Sequence, residues 1–288
     1  MGTAINFTVT SDGRSVKDFL RRECHVSSSL LTALKREEHG IERNRQRLRS
    51  IDILNAGDVV TITLPDDESD IPPVDIPIKI LYEDAHTIVY DKPSFLTTHP
   101  VRGHQGDTLA NAAAHYFQSK GEFCAFRAIN RLDRDTSGTL LAAKNAYAAA
   151  LLPKSVQKEY VGVCEGVLKE KITIDKPIRI KEGHTIERET GEGGQRAVTH
   201  AEPIVAGSGH TLVKFILETG RTHQIRVHMA SIGHPLAGDD LYGGSREFIS
   251  RQALHCAKIS FTKVLSNEMM CVESPLPIEF IKLISRIL

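Results

Sequence analysis

A polar turn that runs directly into a short apolar segment lies near the middle of the chain, and it constrains the fold around it. The turn, residues 131–138, reads RLDRDTSG, and the segment that follows, residues 139–143, reads TLLAA. Because this segment is short, uninterrupted and bounded by turn residues, it predicts a buried strand. The turn therefore holds Arg131 and Asp133 at the end of a rigid sheet, where side chains are positioned for binding or chemistry. An isolated Arg-x-Asp pair is more often a structural ion pair than a catalytic one, so other motifs must decide its role.

One acidic, proline-rich segment divides the chain. Residues 66–77 contain five acidic residues, three prolines and no basic residue. Prolines stiffen such a segment and its charges keep it in water, so the composition predicts a linker that carries no core. We therefore predict a small module over residues 1–65, the linker over 66–77 and a large domain over 78–288, a division that the length of the chain allows.

The charge of the whole chain hides an uneven distribution. The 36 basic and 36 acidic residues give a formal net charge of zero, which by itself argues against a nucleic-acid partner. Residues 1–65 nevertheless hold 10 basic and 8 acidic residues, and residues 78–288 hold 26 and 23. Two weakly basic parts are thus separated by an acidic linker, and local patches matter more for RNA binding than the total does.

Composition indicates an ordinary soluble protein, with 41% hydrophobic and 25% charged residues. No segment reaches the roughly 20 apolar residues of a membrane span, and residues 1–6 lack the basic-then-apolar layout of a signal peptide. The five cysteines are scattered and form no C-x-x-C pair, so neither a disulfide framework nor a zinc site is indicated. We expect a monomeric, reduced, cytoplasmic protein without a membrane partner.

Four more motifs follow the Arg-Leu-Asp triplet along the chain. They are KEY at 158–160, GRTHQIRVH at 220–228 with GHPL at 233–236, RQALH at 251–255, and SPLP at 274–277. In this order they resemble the motifs of the RluA-type RNA pseudouridine synthases, and the resemblance covers roughly residues 78–288. In that family a histidine usually precedes the triplet, whereas this chain has Asn130, which forms hydrogen bonds but cannot carry a charge.

The resemblance implies an α+β fold, with a long mixed, mostly antiparallel sheet and an active cleft at the middle of its face. The sequence pattern agrees, because short strands joined by hairpin turns outnumber strand–helix–strand units. Helices are predicted over residues 108–117 and 222–232, and a hairpin turn or loop over 189–194.

The resemblance also implies that Asp133 is the catalytic residue of an enzyme that makes pseudouridine. The reaction breaks the bond from uracil N1 to ribose C1′ and forms one from C5 to C1′. A carboxylate beside the sugar can stabilise positive charge, attack C1′ or remove a C2′ proton. Neither a metal nor a redox cofactor is needed, and the sequence shows no phosphate loop, dinucleotide fingerprint or cluster of metal ligands. We therefore expect no cofactor and no metal.

Other candidate site residues follow from what this reaction requires. Asp133 must be ionised, so it needs a nearby cation, for which Arg226 in the predicted helix 222–232 is the best candidate. The target uridine must leave its stack; Arg131 is placed to enter the vacated space, and Tyr160 offers an aromatic face worth ~1–3 kcal/mol. The remaining candidates for RNA contact are Lys158, Arg221 and His223.

The first 65 residues look like the small RNA-binding domain named after a ribosomal small-subunit protein. Helices are predicted over residues 15–23 and 27–37, the latter capped by Ser27 or Ser28, and a strand over 59–64. Lys35 and Arg36 end the second helix and are candidate RNA contacts. Residues 43–46, RNRQ, stand where that domain usually has an Asn-Gly hairpin, so this copy is divergent.

Three functions remain in competition. The leading one is an enzyme that isomerises uridine in structured RNA, either ribosomal or transfer RNA. A catalytically inactive RNA-binding protein of the same fold is the alternative, and the joint presence of Asp133, Tyr160 and Arg226 argues against it. A hydrolase of nucleosides or glycosides would need a second carboxylate, for which Asp135 is the only obvious neighbour of Asp133.

Overall fold

The polypeptide begins with a small unit of short strands and helices. The computed structural model of the protein describes residues 3–65, 69–122 and 124–287. In the first of these ranges α1 (Val16–Asp18) continues as a π-helical turn over Phe19–Glu23, and the other elements are β1 (Ala4–Thr8), β2 (Arg14–Ser15), α2 (Ser28–Arg36), β3 (Ile41–Arg43), β4 (Gln46–Arg47), β5 (Ile53–Leu54) and β6 (Val59–Thr63). Strands β1, β6, β3 and β4 form one sheet in that order, and β2 pairs with β5.

Local sequence explains the two best-defined features of this unit. The hydroxyl of Ser27 caps α2 by accepting a hydrogen bond from the Leu30 amide at 3.1 Å. The divergent residues 43–46 still form a hairpin, because Asn44 and Arg45 both adopt left-handed conformations, with φ of 54° and 64°. A two-residue hairpin turn requires such angles, which asparagine accepts more easily than arginine.

The rest of the chain contains twelve more strands and four more α-helices in its described part. The strands are β7 (Lys79–Glu83), β8 (Thr87–Lys92), β9 (Arg127–Ala128), β10 (Ser137–Ala143), β11 (Gln157–Glu165), β12 (Ile172–Asp175), β13 (Ile178–Ile180), β14 (Arg188–Thr190), β15 (Val198–Gly207), β16 (His210–Leu217), β17 (Leu254–Thr262) and β18 (Met269–Glu273). The helices are α3 (Leu109–Ser119), α4 (Ala146–Leu151), α5 (Gln224–Ala230) and α6 (Ile278–Ile287). Among the described residues, none of the helices combines the length and apolar composition that a membrane span requires.

Ten of these strands form one large sheet. Its order is β12-β15-β16-β11-β17-β10-β8-β7, with β18 added beside β17 and β9 beside β10, while β13 and β14 form a separate hairpin. The pairings between these strands, in the described part, are antiparallel except that of β10 with β17, in which Ser137 lies opposite His255. The predicted α+β class and the mostly antiparallel mixed sheet are therefore confirmed.

Apolar side chains cover both faces of the centre of this sheet. On β10, Leu141 and Ala143 face a core that includes apolar side chains between Ile5 and Leu64 and side chains of α4, whereas Leu140 and Ala142 face a second core that includes side chains of α3 and α5. This double burial explains why residues 140–143 of β10 are all apolar, since a strand with one face in water would alternate apolar and polar residues.

The N-terminal unit and the described part of the linker both pack against the rest of the chain. Tyr147 of α4 packs edge-on against Phe7 and donates its hydroxyl hydrogen to the carbonyl of Cys24 at 2.8 Å. The expectation that the linker carries no core is wrong for its described residues 69–77, because Ile71 and Ile76 pack against the core beneath α3. Polarity along the segment did not reveal these contacts, because they depend on the surface that the large domain offers. The domain boundaries themselves stay a prediction, and residues 66–68 lie outside the described ranges.

Candidate active site

A narrow cleft on the face of the sheet brings together residues that are far apart in the sequence. Its cavity measures about 50 Å³. Six of the predicted site residues line it: Arg131, Asp133, Tyr160, Arg221, His223 and Arg226. The loop before β10, the strand β11, and α5 with the turn that precedes it supply them. The fold thus assembles a site from segments that are 93 residues apart at Asp133 and Arg226.

Asp133 and Arg226 form an ion pair inside the cleft. The Nη1 of Arg226 donates to Oδ2 of Asp133 at 3.2 Å, and the side chain of Asp133 is 24% exposed, enough to meet a ligand. The same guanidinium binds a second carboxylate with two hydrogen bonds, from Nε and Nη2 to Asp239, both at 2.7 Å. Asp239 is 1% exposed, so Arg226 connects a buried carboxylate to the partly exposed carboxylate of Asp133.

The two acids keep Arg226 charged despite its burial. Burial lowers the pKa of Arg226, but the hydrogen bonds and charge of Asp239, followed by those of Asp133, outweigh it and raise the pKa above its ordinary value. The guanidinium also lies 5.0 Å from the centre of the Tyr242 ring. Arg226 is thus fixed on three sides, and its position fixes that of the Asp133 carboxylate.

Buried donors hold the backbone of the loop that carries Asp133. The carbonyl of Leu132 accepts a hydrogen bond from the Thr98 hydroxyl at 3.2 Å, that of Arg134 from Lys92 Nζ at 3.0 Å, and that of Asp135 from Arg251 Nη1 at 3.0 Å. Lys92 and Arg251 are both buried, at 0% and 2% exposure. Three such anchors leave the loop little freedom, and a rigid loop is what a positioned carboxylate requires.

A glycine near the start of β10 permits the close approach of this strand to β17. Gly138 has a φ of 115°, and a Cβ at this position would overlap the backbone of Cys256. Larger residues would therefore separate β10 from β17 next to Asp133. Residues 136–138 thus contribute to the site through the backbone conformation that holds Asp133 at the end of the sheet.

Tyr160 lies on the floor of the cleft and is 6% exposed. Burial raises the pKa of Tyr160 well above its ordinary value, and the nearby Cys256 and Asp133 raise it further. The phenol is therefore neutral near pH 7 and keeps its proton. The ring can contact a flat ligand from below, while the hydroxyl cannot serve as a base.

The helix α5 begins two residues later than predicted, and this places His223 in the cleft. His223 precedes the helix in a left-handed conformation, with a φ of 56°, rather than inside its first turn. Its Nδ1 lies 2.8 Å from the Tyr242 hydroxyl and its Nε2 lies 3.9 Å from Oδ2 of Asp133. Burial lowers the pKa of His223, so the ring is neutral near pH 7.

Arg131 and Arg221 are exposed at the rim of the cleft, as a contact to a large ligand requires. Arg221 Nε donates to the carbonyl of Arg196 at 3.0 Å. Arg131 also lines a second cavity of about 600 Å³, together with His99, Arg134 and Arg188. The larger cavity continues from the cleft, and basic side chains line it.

The other predicted contacts lie outside the cleft. Lys158 is half-buried on β11, its Nζ close to Gly220, and burial lowers its pKa. Lys35 and Arg36 are exposed in the last turn of α2. Asn130 is buried and binds the backbone of β10, since its Nδ2 donates to the Thr139 carbonyl at 3.3 Å and its Oδ1 accepts from the Leu141 amide at 2.8 Å.

Sequence reasoning assigned no role to several polar residues that the structure places in or beside this site: Lys92, Asp239, Tyr242 and Arg251. Asp239 carried the clearest signal, because it follows the GHPL motif and a buried Arg226 requires a carboxylate partner. Asp135, the candidate second acid of a hydrolase, instead pairs with the neighbouring Arg134 at 2.7 Å.

Comparison with known proteins assigns the chain to a family. A profile of the RNA pseudouridylate synthase family matches residues 86–231. An uncharacterized RNA pseudouridine synthase of Bacillus subtilis, YhcT, is 40% identical over 246 residues, which are 82% of this chain and 82% of the relative. Ribosomal large subunit pseudouridine synthase D of Pseudomonas aeruginosa is 38% identical over 73% of this chain and 72% of its own length.

A solved structure agrees with the sequence comparisons. Human RNA pseudouridylate synthase domain containing 1 has a TM-score of 0.57 and 27% identity, and the match covers 72% of this chain and 86% of that one. The chain therefore belongs to the RNA pseudouridylate synthase family. It is an isomerase that converts uridine to pseudouridine in RNA, and nothing in the comparisons supports an inactive RNA-binding protein.

Proposed function

We propose that Asp133 is the catalytic carboxylate of this isomerase and that Arg226 holds it in place. The observation that supports this most directly is the chain of hydrogen bonds from Asp133 through Arg226 to the buried Asp239. Arg226 places a positive charge 3.2 Å from the Asp133 carboxylate, and its two bonds to Asp239 keep that charge in position. The remaining exposure of Asp133 leaves it accessible to the sugar of a bound nucleotide.

The reaction exchanges one bond to ribose for another. The bond from N1 to C1′ breaks, the uracil turns in the site, and C5 bonds to C1′. The hydrogen on C5 then leaves as a proton and N1 gains one, so atoms and electrons balance without an oxidant. Asp133 stabilises the charge that develops at the sugar, or bonds to it, in the manner of carboxylates in glycosidases.

We propose that Tyr160 and Arg131 hold the RNA in its flipped-out form. Tyr160 lies on the cleft floor, where a uracil beside Asp133 would contact its ring, and Arg131 is exposed at the rim, where it would fill the space that the base leaves. Arg221 and His223 line the same cleft and are the next candidates for contact with the nucleotide.

Replacing Tyr160 separates its ring from its hydroxyl. We expect Tyr160→Phe to bind RNA as the wild type does, and Tyr160→Ala to bind more weakly by the ~1–3 kcal/mol of one stacked base. Filter-binding titrations measure both affinities, and circular dichroism checks that each variant is folded. Equal affinities for the two folded variants would mean that the ring belongs to the core rather than to the RNA site.

We infer that the RNA is ribosomal, from the large subunit. Relatives named ribosomal large subunit pseudouridine synthase D support this inference, for example those of Pseudomonas aeruginosa at 38% identity and Nitrosomonas europaea at 37%. Pseudouridine mapping across total RNA, from cells with and without the gene, tests it. A site that disappears from large-subunit RNA supports the proposal, and one that disappears only from transfer RNA contradicts it.

We further propose that the N-terminal module binds the same RNA. Lys35 and Arg36 are exposed at the end of α2, and Arg47 of the β3–β4 hairpin donates to the carbonyl of Lys35 at 2.9 Å. This bond brings the basic hairpin next to the basic end of the helix, as a phosphate-binding surface requires.

Neutralising this surface should flatten the salt dependence of RNA binding. For Lys35→Gln with Arg36→Gln, we expect the slope of log affinity against log salt to fall by about 0.7–0.9 for each phosphate that the variant no longer binds. The matched control neutralises Lys282 and Arg286, two exposed basic residues of α6. If both double variants keep the wild-type slope, this part of the proposal is wrong.

We also propose that the protein is a monomer of the cytoplasm. Cys24, Cys164 and Cys256 are buried thiols that form no disulfide, as is typical of proteins from reducing compartments. Size-exclusion chromatography with light scattering would show a single mass near 31.8 kDa for the monomer.

A further inference from the structure

Tyr242 lies outside the cleft but contacts three residues that belong to it or to the adjoining cavity. Its hydroxyl accepts a hydrogen bond from the backbone amide of Arg188 at 3.0 Å and lies 2.8 Å from Nδ1 of His223. Its ring lies 5.0 Å from the guanidinium carbon of Arg226 and meets the His223 ring edge-on, with centroids 5.7 Å apart. One side chain thus contacts Arg188 of the β13–β14 hairpin, His223 before α5, and Arg226, which pairs with Asp133.

The directions of these hydrogen bonds can be deduced from the chemistry of the donors. A backbone N–H can only donate, so the oxygen of Tyr242 accepts from Arg188. The hydroxyl has one hydrogen, and within the described chain its other hydrogen-bonding partner is Nδ1 of His223. If Nδ1 carried a hydrogen instead, the phenol hydrogen would have no acceptor among the described residues, and only water could accept it.

The state of both rings agrees with a phenol that donates. Burial raises the pKa of Tyr242 to about 12, so the phenol keeps its hydrogen. Burial lowers the pKa of His223 against the opposing effect of Asp133 and Asp239, while Arg226 and Arg188 lower it further. A neutral imidazole that accepts at Nδ1 carries its hydrogen on Nε2.

The hydrogen on Nε2 faces the reactive end of the cleft. Nε2 lies 3.9 Å from Oδ2 of Asp133, too far for a direct hydrogen bond but near enough for both to contact the same nucleotide. The left-handed backbone of His223 and the Tyr242 contact together fix the direction of this donor. A uridine beside Asp133 offers only oxygen acceptors to it, from the ribose or from the uracil carbonyls.

We propose that Tyr242 is a positioning residue that holds His223 as the neutral Nε2–H tautomer, and that His223 donates this hydrogen to an oxygen of the bound uridine. The second half of the proposal rests on the assignment of the Asp133 cleft as the active site. The first half does not, because it concerns the free protein.

Nitrogen-15 NMR of histidine-labelled protein without RNA tests the tautomer. We expect the His223 signals of the wild type at pH 7 to show an unprotonated Nδ1 and a protonated Nε2, and those of Tyr242→Phe to show a mixture of tautomers. The signals are assigned by their loss in His223→Gln. A protonated Nδ1 in the wild type would overturn the proposal whatever the activity is.

Turnover tests the coupling of the two residues. We expect Tyr242→Phe to lower kcat about tenfold, as a misplaced hydrogen-bond donor does, and to leave KM for RNA within about twofold. The double-mutant cycle adds the same change to His223→Gln. There Tyr242→Phe should not lower kcat further, since the histidine that it positions is already absent. The matched control is Tyr116→Phe, which removes a hydroxyl bound to Glu83 far along α3, and it should keep the wild-type kcat.

Two outcomes would contradict the coupling. Equal losses from Tyr242→Phe in the wild-type and His223→Gln backgrounds would show that Tyr242 acts independently of His223. An unchanged kcat for Tyr242→Phe would show that the tautomer has no role in turnover. An inactive wild type with the expected tautomer would instead count against the proposed function alone.

Discussion

Asp133→Asn is expected to abolish turnover and to leave a folded protein that still binds RNA. The substitution removes one charge at nearly constant volume, so the loop anchored by Thr98, Lys92 and Arg251 keeps its shape. An amide can neither stabilise positive charge at the sugar as a carboxylate does nor attack C1′. We expect kcat to fall by ~10⁴-fold or more, the scale on which removal of a reacting group acts. Single-turnover assays with excess enzyme measure the loss.

Asp135→Asn is the matched control for this prediction. Asp135 is two residues away and pairs through its side chain with Arg134, while its carbonyl, which the substitution keeps, accepts the hydrogen bond from Arg251. We expect kcat within a few-fold of the wild type. If Asp135→Asn lost most of its kcat while Asp133→Asn kept it, Asp135 rather than Asp133 would be the catalytic carboxylate.

Arg226→Ala should lose both activity and stability. The change leaves Asp239 buried without its two hydrogen bonds and removes the cation beside Asp133. Breaking a buried ion pair by removing one partner costs about 3–5 kcal/mol in the free energy of unfolding, and loss of an electrostatic partner costs ~10²–10³-fold in kcat. Chemical denaturation and single-turnover kinetics measure the two effects separately.

A paired substitution separates the two effects of Arg226. In Arg226→Met with Asp239→Leu both buried charges are absent, and apolar replacement of a buried pair is often neutral or stabilising. We expect this double variant to recover much of the stability that Arg226→Ala loses while it stays nearly inactive. Recovery of activity together with stability would mean that Arg226 serves only the fold.

The sequence predicted the elements that depend on local pattern. The strand β10, the helices α2 and α3 and the mixed sheet follow from apolar periodicity, capping residues and turns. The approach of Asp133 and Arg226 was predicted from the cation that the implied reaction requires rather than from any local signal, since 93 residues separate them. Periodicity cannot show such contacts, which form only when the sheet is complete.

The features that sequence missed depend on partners from distant segments. The prediction for the start of α5 was wrong because His223 adopts a left-handed backbone conformation and contacts Tyr242 instead of joining the helix. The residue type does not specify this conformation. The role of Asp239 became evident only from the burial of Arg226. The contacts of the linker also depend on a distant segment. The Pro72 carbonyl accepts a hydrogen bond from Asn111 Nδ2 of α3 at 2.8 Å, and Ile71 and Ile76 pack against the core that includes this helix.

Release of the C5 hydrogen from RNA is the measurement that tests the central claim most directly. With uridine labelled by tritium at C5, the wild type should release label into water while the base stays attached to the RNA, so that neither free uracil nor abasic sites accumulate. Asp133→Asn should stop the release, and a chelator should not. Release from the folded Asp133→Asn variant at the wild-type rate, or free uracil in place of released label, would contradict the assignment of Asp133 as the catalytic residue of a uridine isomerase.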